Sequence, residues 1–287
     1  MNWMKYLPLY FLISALVIIP GLYSLVRFGF KLSIEFTGGT RLTLVSTTSS
    51  SASIMESFKD YSPLLESAGD HSLTLKSKEI SQEKVQNILD SLKTDNPEIT
   101  LTEFETIGPA LGQETIRKTI NALVIASVLL LAYISFAFKQ LKYGICAVLA
   151  MFHDTAVLLG SFSLLGHFLG VEIDLLFVTA VLTILSFSVH DTIVVYDRIR
   201  ELSHKNKAVS YTSLVNQAVT ETMARSLNNS LTIIFMLLAL FLMGGETTKY
   251  FSLALLIGTI TGTYSSTFTA APLLIIWDKF SQRKNLR

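Results

Sequence analysis

Four long stretches without a charged side chain constrain the fold of this 287-residue chain more than any other feature. They are residues 6–26, 119–138, 226–245 and 250–277, which contain 21, 20, 20 and 28 residues. About 20 apolar residues with a rise of ~1.5 Å each are enough to cross a hydrocarbon layer of about 30 Å. The pattern therefore predicts four membrane-spanning helices.

Two further apolar runs are each interrupted by one acid. Residues 145–169 contain Asp154, and residues 175–196 contain Asp191. Half of the chain is hydrophobic and its mean hydropathy is +0.49, a balance typical of membrane proteins. We interpret both runs as helices, which gives six spans. The first span is expected to be a retained anchor rather than a signal peptide, because no clear cleavage site follows its long apolar stretch.

The charges of the loops predict how the chain crosses the membrane. The loop at 139–142 has two lysines, the loop at 170–174 has two acids, and the segments at 197–207 and 278–287 are mainly basic. Because basic loops stay on the cytoplasmic side, both termini should be cytoplasmic. The predicted regions are residues 1–30 (N-terminus and first helix), 31–117 (periplasmic domain), 118–278 (five helices with a cytoplasmic loop at 197–225) and 279–287 (cytoplasmic tail).

The segment 31–117 is predicted to be a small α+β domain. Residues 40–47 and 71–78 alternate apolar and polar side chains, as half-buried strands do. Residues 51–67 and 81–93 have the pattern of amphipathic helices, and residues 99–108 return as a strand. The expected order is β-α-β-α-β. No metal-ligand spacing occurs there, so a binding or moving role is favoured over an enzymatic one.

Four segments carry a resemblance to a known family. They are IEFTGGT (34–40), ETIGPALGQE (105–114), HDTIVVYDRIRE (190–201) and MGGETTKYFSLALLIGTITGTYSS (243–266). In this order they resemble the FTGGT, VGPxxGxE and DTIVVFDRIRE motifs and the last helix hairpin of the SecF family of protein-export membrane proteins. Two features depart from the family: His190 stands where an Asn is common, and LNNSLTII follows Arg225 in place of a Thr-rich stretch.

The resemblance implies both a fold and a function. The fold would be six transmembrane helices in the arrangement of the resistance-nodulation-division (RND) superfamily, with an α+β (ferredoxin-like) periplasmic domain between helices one and two. The chain would act in the bacterial inner membrane with a SecD-like subunit, the SecYEG channel and YajC. It would use the proton gradient to move an unfolded exported polypeptide. We expect no covalent catalysis, no cofactor and no metal, and the net charge of +1 gives no bulk attraction to nucleic acid.

Asp191 is the central candidate for proton coupling. It lies roughly 9 Å inside the cytoplasmic end of its helix if that end is near Asp197, and an Asp in mid-membrane costs about 2.5–3.5 kcal/mol on insertion. A packing acid and a proton-binding acid are both consistent with this position, and the resemblance favours the second. Arg225 is the expected countercharge. Arg198, seven residues after Asp191, competes for the same pairing.

Four more side chains join the candidate set. His190 is either a hydrogen-bonded packing residue or a proton relay. His153 and Asp154 form a pair in the third helix, either for proton access or for an interhelical hydrogen bond. Asp197, at the membrane edge beside Arg198, is a secondary candidate.

The glycine motifs are interpreted as structural. Gly38 and Gly39 permit a tight approach with positive φ between the first span and the domain, and Gly108-Pro109 belongs to the second motif. Gly258 and Gly262 form a small-residue stripe that allows close helix packing. Residues 209–219 predict a separate interfacial helix on the cytoplasmic surface.

Three alternatives remain open on the sequence. A proton-coupled RND exporter would need a second membrane repeat from a partner. An intramembrane aspartyl protease would use Asp154 and Asp191, although neither follows a Gly-x-Gly motif. A structural scaffold would leave the insertion of two buried acids without a purpose.

Overall fold

The chain divides into two compact units, Met1–Lys31 with Ala122–Arg287, and Leu32–Asn121. The computed structural model describes residues 2–46, 51–68, 72–95, 97–206 and 208–285. The helices are α1 Leu7–Phe28, α2 Ile34–Thr37, α3 Ser51–Ser57, α4 Gln82–Asp95, α5 Pro109–Phe138, α6 Leu141–Leu169, α7 Leu175–Lys205, α8 Tyr211–Met243, α9 Glu246–Ser265 and α10 Ala271–Asn285. The strands are β1 Gly39–Val45, β2 Leu64–Ala68, β3 Ser72–Ser77 and β4 Thr100–Ile107.

The smaller unit contains a four-stranded antiparallel sheet with the strand order β2-β3-β1-β4. Its two faces follow from the alternation in β1. Leu42 and Leu44 are fully buried, whereas Thr43 between them pairs with Thr74 of β3 through their hydroxyls at 3.3 Å. The core on the buried face is completed by side chains from α3, β3, α4 and the connections next to them: Ile54, Phe58, Leu73, Leu75, Ile80, Val85, Leu89, Leu92 and Ile99.

The order of elements corrects one prediction. Residues 51–67 were expected to form a single helix, but the helix ends at Ser57, and Leu64–Ala68 is the edge strand β2. Ser62 adopts a left-handed conformation with φ +52°, and Pro63 follows it. A residue before proline is disfavoured in the right-handed helical region, so the helix cannot continue through this point. The sequence is therefore β-α-β-β-α-β rather than β-α-β-α-β.

Two of the sequence motifs meet within the smaller unit. Gly38 and Gly39 have φ of +71° and +130°, values that favour glycine. A Cβ atom on Gly38 would lie 2.7 Å from Cα of Pro109, and a Cβ atom on Gly112 would lie 2.7 Å from the carbonyl oxygen of Phe36. The first turn of α5 thus packs against the glycine pair with no room for a side chain at either position.

The larger unit is helical. Among the described residues, five helices are long and apolar enough to cross a membrane, and they lie within Trp3–Phe28, Pro109–Phe138, Leu141–Leu169, Leu175–Lys205 and Tyr211–Met243. The stretch predicted as the sixth span is divided instead between α9 and α10, which are joined by the π-helical turn Ser266–Ala270. A multi-pass membrane protein follows from these helices.

Most of the segment predicted as a cytoplasmic loop, residues 197–225, is helical. α7 continues to Lys205 and α8 begins at Tyr211, so residues 206–210 make the connection. The segment expected to form a separate interfacial helix is the first part of α8, a 33-residue helix. The physical reason is a single buried stripe at four-residue spacing along α8: Leu214, Ala218, Thr222, Ser226 and Ser230.

Close approaches between glycines and neighbouring helices hold the bundle together. Cβ atoms built on Gly21 of α1 and Gly160 of α6 would lie 2.8 and 2.6 Å from the Cα atom of the other glycine. Gly258 of α9 lies against Ile184 of α7, whose Cδ1 would be 2.1 Å from a Cβ atom on the glycine. Small residues of this kind let helix backbones approach closely within a membrane.

Candidate functional site

Asp191 of α7 lies where three helical segments converge. Its side chain is 3% exposed. Ser226 of α8 donates a hydrogen bond to Oδ2 at 2.6 Å, and Ser266 of the π-helical turn donates to the same oxygen at 2.7 Å. These distances are typical of hydroxyls bonded to a carboxylate. The acid is therefore held by hydroxyl groups from two neighbouring helical segments.

Asp154 of α6 has a similar environment on a different helix. It is fully buried, and its Oδ2 accepts hydrogen bonds from Ser188 of α7 and Ser265 of α9, both at 2.6 Å. Its Oδ1 lies 3.0 Å from Nδ1 of His153, whose Nε2 lies 2.8 Å from the hydroxyl of Ser14 in α1. A single polar network therefore joins α1, α6, α7 and α9.

The two acids are linked through two consecutive residues of the chain, Ser265 and Ser266. Ser265 ends α9 and Ser266 begins the π-helical turn. Successive residues of a helix point about 100° apart, so neighbouring side chains can reach different partners. Downstream in the same turn, the carbonyl oxygen of Ala270 accepts a hydrogen bond from the buried Tyr196 of α7 at 3.0 Å. π-helical turns of this kind occur frequently at functional sites.

The structure does not form the expected pairing of Asp191 with Arg225. Arg225 is exposed, and the next residue, Ser226, is the one that faces the acid. A shift of one residue turns the side chain by about 100°, and this rotation places the guanidinium on another face of α8. In this arrangement a neutral hydroxyl replaces the predicted cation.

The other candidates on α7 either have other partners or are exposed. Arg198 binds Glu201 on its own helix and Glu221 on α8. Asp197 is 62% exposed and forms an ion pair with Arg200 at 2.8 Å. His190 is exposed. The C-terminal part of α7 and the N-terminal part of α8 are thus joined by the surface ion pair of Arg198 with Glu221, and such pairs typically contribute little to stability.

Sequence reasoning missed the hydroxyl residues that surround the acids. A serine inside an apolar run has no strong signal of its own, because hydroxyls in membrane helices often bond their own backbone. A weak signal was present in the small polar residues concentrated at 259–269, close to the end of the last motif. The missed side chains are Ser14, Ser188, Ser226, Ser265 and Ser266.

The chemistry available to this site is the binding and release of a proton. Burial favours a neutral carboxylic acid, whereas hydroxyl donors favour the carboxylate, so the balance depends on how many donors reach the oxygen. Within the part of the chain that the structure describes, no group of three or more His, Cys, Asp or Glu side chains is placed to hold a metal ion.

Comparisons with known proteins agree on one family. The family model described as protein export membrane protein SecD/SecF, C-terminal, matches residues 86–280, and the SecD/SecF GG motif matches residues 23–49. The chain therefore belongs to the SecD/SecF family of protein-export membrane proteins. The GG match covers the glycine pair that packs against the first turn of α5.

Relatives of similar length are SecF subunits. Protein translocase subunit SecF from Thermobaculum terrenum is 41% identical over 94% of this chain and 91% of the relative, and SecF from Anaerolinea thermophila is 36% identical over 94% and 92%. The crystal structure of SecDF, a translocon-associated membrane protein from Thermus thermophilus, matches with a TM-score of 0.83 and 30% identity. That match covers 97% of this chain and 39% of the SecDF chain.

Proposed function

We propose that this chain is a SecF-type accessory subunit of the Sec protein-export machinery, which uses the proton gradient to promote export through SecYEG. The family membership and the almost complete coverage of SecF relatives support the assignment. The observation that carries the mechanism is the buried carboxyl of Asp191, held by hydroxyls from two other helical segments. The proposal requires no covalent chemistry and no cofactor.

A proton-binding role explains why an acid is tolerated inside the bundle. An Asp at the centre of a membrane helix opposes insertion by about 2.5–3.5 kcal/mol, so acids at such positions are usually functional. Ser226 and Ser266 offset part of this penalty because each donates to Oδ2. The carboxyl can therefore exist in both protonation states within the bundle.

Protonation of Asp191 would change the contacts between helices. Hydrogen bonds to a carboxylate are roughly twice as strong as those to a neutral group. Adding a proton weakens the attraction of Ser226 in α8 and Ser266 in the π-helical turn for α7. Packed helices switch between discrete arrangements, so loss of this attraction favours a second arrangement of the bundle. That movement would drive the domain that holds or releases the exported chain.

The membrane topology is part of the proposal. We place six spans in the membrane, with α9, the π-helical turn and α10 forming the sixth, and both termini in the cytoplasm of a bacterial inner membrane. The basic segments at 139–142 and 197–207 support this orientation. The unit Leu32–Asn121 would then be periplasmic, and its strand order β2-β3-β1-β4 supports a ferredoxin-like domain.

The partners are proposed from the relatives. A protein named translocase subunit SecDF from Thermus thermophilus is 31% identical over 94% of this chain, which covers 38% of that relative. We infer that a SecD-like subunit works with this chain as a separate protein, and that SecYEG, YajC and an unfolded exported polypeptide are further partners. The protease alternative has less support, since Asp154 and Asp191 each bind a separate pair of serines. The RND exporter alternative has less support, since the relatives of similar length are named protein translocase subunits.

The role of Arg225 as the countercharge of Asp191 stays a prediction. It is exposed and immediately precedes Ser226, so pairing with Asp191 would require an arrangement of α7 and α8 other than this one. The alternation between a hydroxyl and a guanidinium at the acid would itself change the protonation state, because a nearby cation favours the carboxylate.

The test of the proposal is Asp191→Asn, assayed with the SecD-like partner and SecYEG for export of a presecretory protein into membrane vesicles. We expect the stimulation by the proton gradient to disappear, because the amide cannot release a proton. The matched control is Asp174→Asn on the same helix. Asp174 caps α7 by accepting from the backbone N–H of Phe177 at 2.7 Å, and Asn caps helices equally well.

Membrane level and partner binding must equal those of the wild type in both variants, so that loss of assembly is not counted as loss of coupling. Retained stimulation in fully assembled Asp191→Asn would refute the proton-coupling role. Loss of stimulation in Asp174→Asn as well would point to a general effect of the acid-to-amide change.

A further inference from the structure

Two buried acids, rather than one, are linked to the same segment of helix. Asp154 and Asp191 lie on α6 and α7, and each accepts two serine hydroxyls on its Oδ2 atom. One serine of each pair comes from the adjacent residues Ser265 and Ser266. The environment that suits Asp191 to proton binding is therefore repeated at Asp154.

We propose that Asp154 is a second proton-binding carboxyl, coupled to Asp191, and that Ser265 and Ser266 are the positioning residues of the two acids. The inference rests on the proposed proton coupling at Asp191 and extends it to a pair of sites. Asp154 is also linked to α1, because His153 contacts both Oδ1 of Asp154 and the hydroxyl of Ser14. The protonation state of Asp154 therefore affects the contact between α1 and α6.

The distance between the acids has an upper limit set by the serines. Adjacent Cα atoms are about 3.8 Å apart, each serine Oγ lies roughly 2.4 Å from its Cα, and the two hydrogen bonds are 2.6 and 2.7 Å long. The two Oδ2 atoms are therefore no more than about 14 Å apart. Two negative charges at ~14 Å in a medium of effective dielectric constant ~20 shift the protonation midpoint of each other by about one pH unit.

Other titratable groups face the two acids. His153 of α6 contacts Asp154 directly, and the ring of Tyr264 in α9 lies 6.2 Å from the ring of His153. The hydroxyl of Tyr264 donates to the carbonyl oxygen of Tyr10 in α1, and that of Tyr196 in α7 donates to the carbonyl oxygen of Ala270. Of these groups, His153 is the one whose side chain contacts an acid directly, so it belongs to the Asp154 site.

Two buried hydroxyls support a second arrangement of the same region. Thr192 beside Asp191 is 1% exposed, and Thr269 in the π-helical turn is 5% exposed. Neither hydroxyl has a hydrogen-bond partner among the described residues. A buried hydroxyl without a partner is destabilising and calls for an explanation. A displacement of the π-helical turn on protonation would give these hydroxyls new partners.

The experiment measures each acid separately. The chain is reconstituted with its SecD-like partner in proteoliposomes and treated with dicyclohexylcarbodiimide, which labels protonated carboxyls in apolar surroundings. Mass spectrometry of the peptides that contain Asp154 and Asp191 then gives a labelling midpoint for each acid over about pH 5 to 9. We expect both peptides to label at low pH.

Six variants test the coupling and the positioning. Asp191→Asn should lower the labelling midpoint of Asp154 by about one pH unit, since a negative charge is removed. Ser265→Ala should raise the midpoint of Asp154, and Ser266→Ala that of Asp191, by about one to two pH units, since each loses a donor to its charged form. Ser265→Thr and Ser266→Thr, which keep the hydroxyl, should keep the wild-type labelling midpoints of Asp154 and Asp191. Ser163→Ala is the matched control, because Ser163 is a buried serine of α6 that bonds Ser24 and the carbonyl oxygen of Gly29 instead.

The outcomes separate the two proposals. An unlabelled Asp154 beside a labelled Asp191 overturns the second site and leaves the first intact. A labelled Asp154 whose midpoint does not move in Asp191→Asn overturns the coupling. An Asp191 peptide that never labels overturns the proposed function and this inference with it. Equal shifts in Ser163→Ala would overturn the positioning role of Ser265 and Ser266.

Discussion

The crossing of α1 and α6 provides a quantitative test of the bundle. A Cβ atom on Gly160 would lie 2.6 Å from Cα of Gly21, whereas ordinary contacts begin near 3.4 Å. Gly160→Ala must therefore push the two helices apart by roughly 0.8 Å, and overpacking of this kind costs about 1–3 kcal/mol. The separation also stretches the hydrogen bonds Ser24–Ser163 at 2.9 Å and Ser14–His153 at 2.8 Å.

These contributions can be combined into an expected free energy of unfolding. Interhelical hydrogen bonds in membranes average about 0.6 kcal/mol, so two of them add about 1.2 kcal/mol to the loss. Alanine in place of glycine within a helix returns about 1 kcal/mol through its higher helix propensity. The net expected destabilisation of Gly160→Ala is therefore about 1–3 kcal/mol.

The assay is reversible unfolding of the purified chain in mixed detergent micelles, followed by circular dichroism. Gly245→Ala is the matched control, because a Cβ atom there meets nothing within 4 Å and its φ is −68°. The control should remain within about 0.5 kcal/mol of the wild type. A Gly160→Ala variant as stable as the control would refute the contact between the α1 and α6 backbones.

Two further predictions are read from hydrogen exchange in the intact chain. Leu75→Ala should destabilise the sheet by about 2–5 kcal/mol because Leu75 is fully buried. Leu64→Ala on the edge strand should have little effect, since Leu64 is 67% exposed, and similar effects for both would contradict the assigned core. Gly38→Ala should cost more than Gly29→Ala: both have φ near +70°, but a Cβ atom at Gly38 also meets Pro109, whereas Gly29 has open space. Equal losses would show that backbone strain of about 1–3 kcal/mol alone explains both.

The helix architecture explains why local motifs and distant contacts differ in how well the sequence predicts them. IEFTGGT and ETIGPALGQE were identified as motifs, and their glycines are required where α5 begins beside Gly38. The sequence gives no indication that these two motifs touch, because the contact joins segments about 70 residues apart. The edge strand at Leu64–Ala68 was missed for a local reason, the left-handed Ser62 before a proline.

The acids were predictable and their partners were not. Asp154 and Asp191 are visible as charges within apolar runs, since such residues are rare inside membrane helices. Arg225 was the expected partner of Asp191 because it stands at a similar depth, but depth leaves the rotation of α8 undetermined. The rotation presents Ser226 to the acid instead.

The sequence by itself determined the family, the multi-pass membrane class and the two buried acids, because long apolar runs and charges within them are properties of the chain that need no contacts. Only the tertiary structure decided what surrounds each acid. Side chains on five helical segments must be brought together at a set rotation and depth before Ser265 and Ser266 can reach Asp154 and Asp191. Packing fixes that rotation through contacts such as Gly21 with Gly160, which involve residues far apart in the chain.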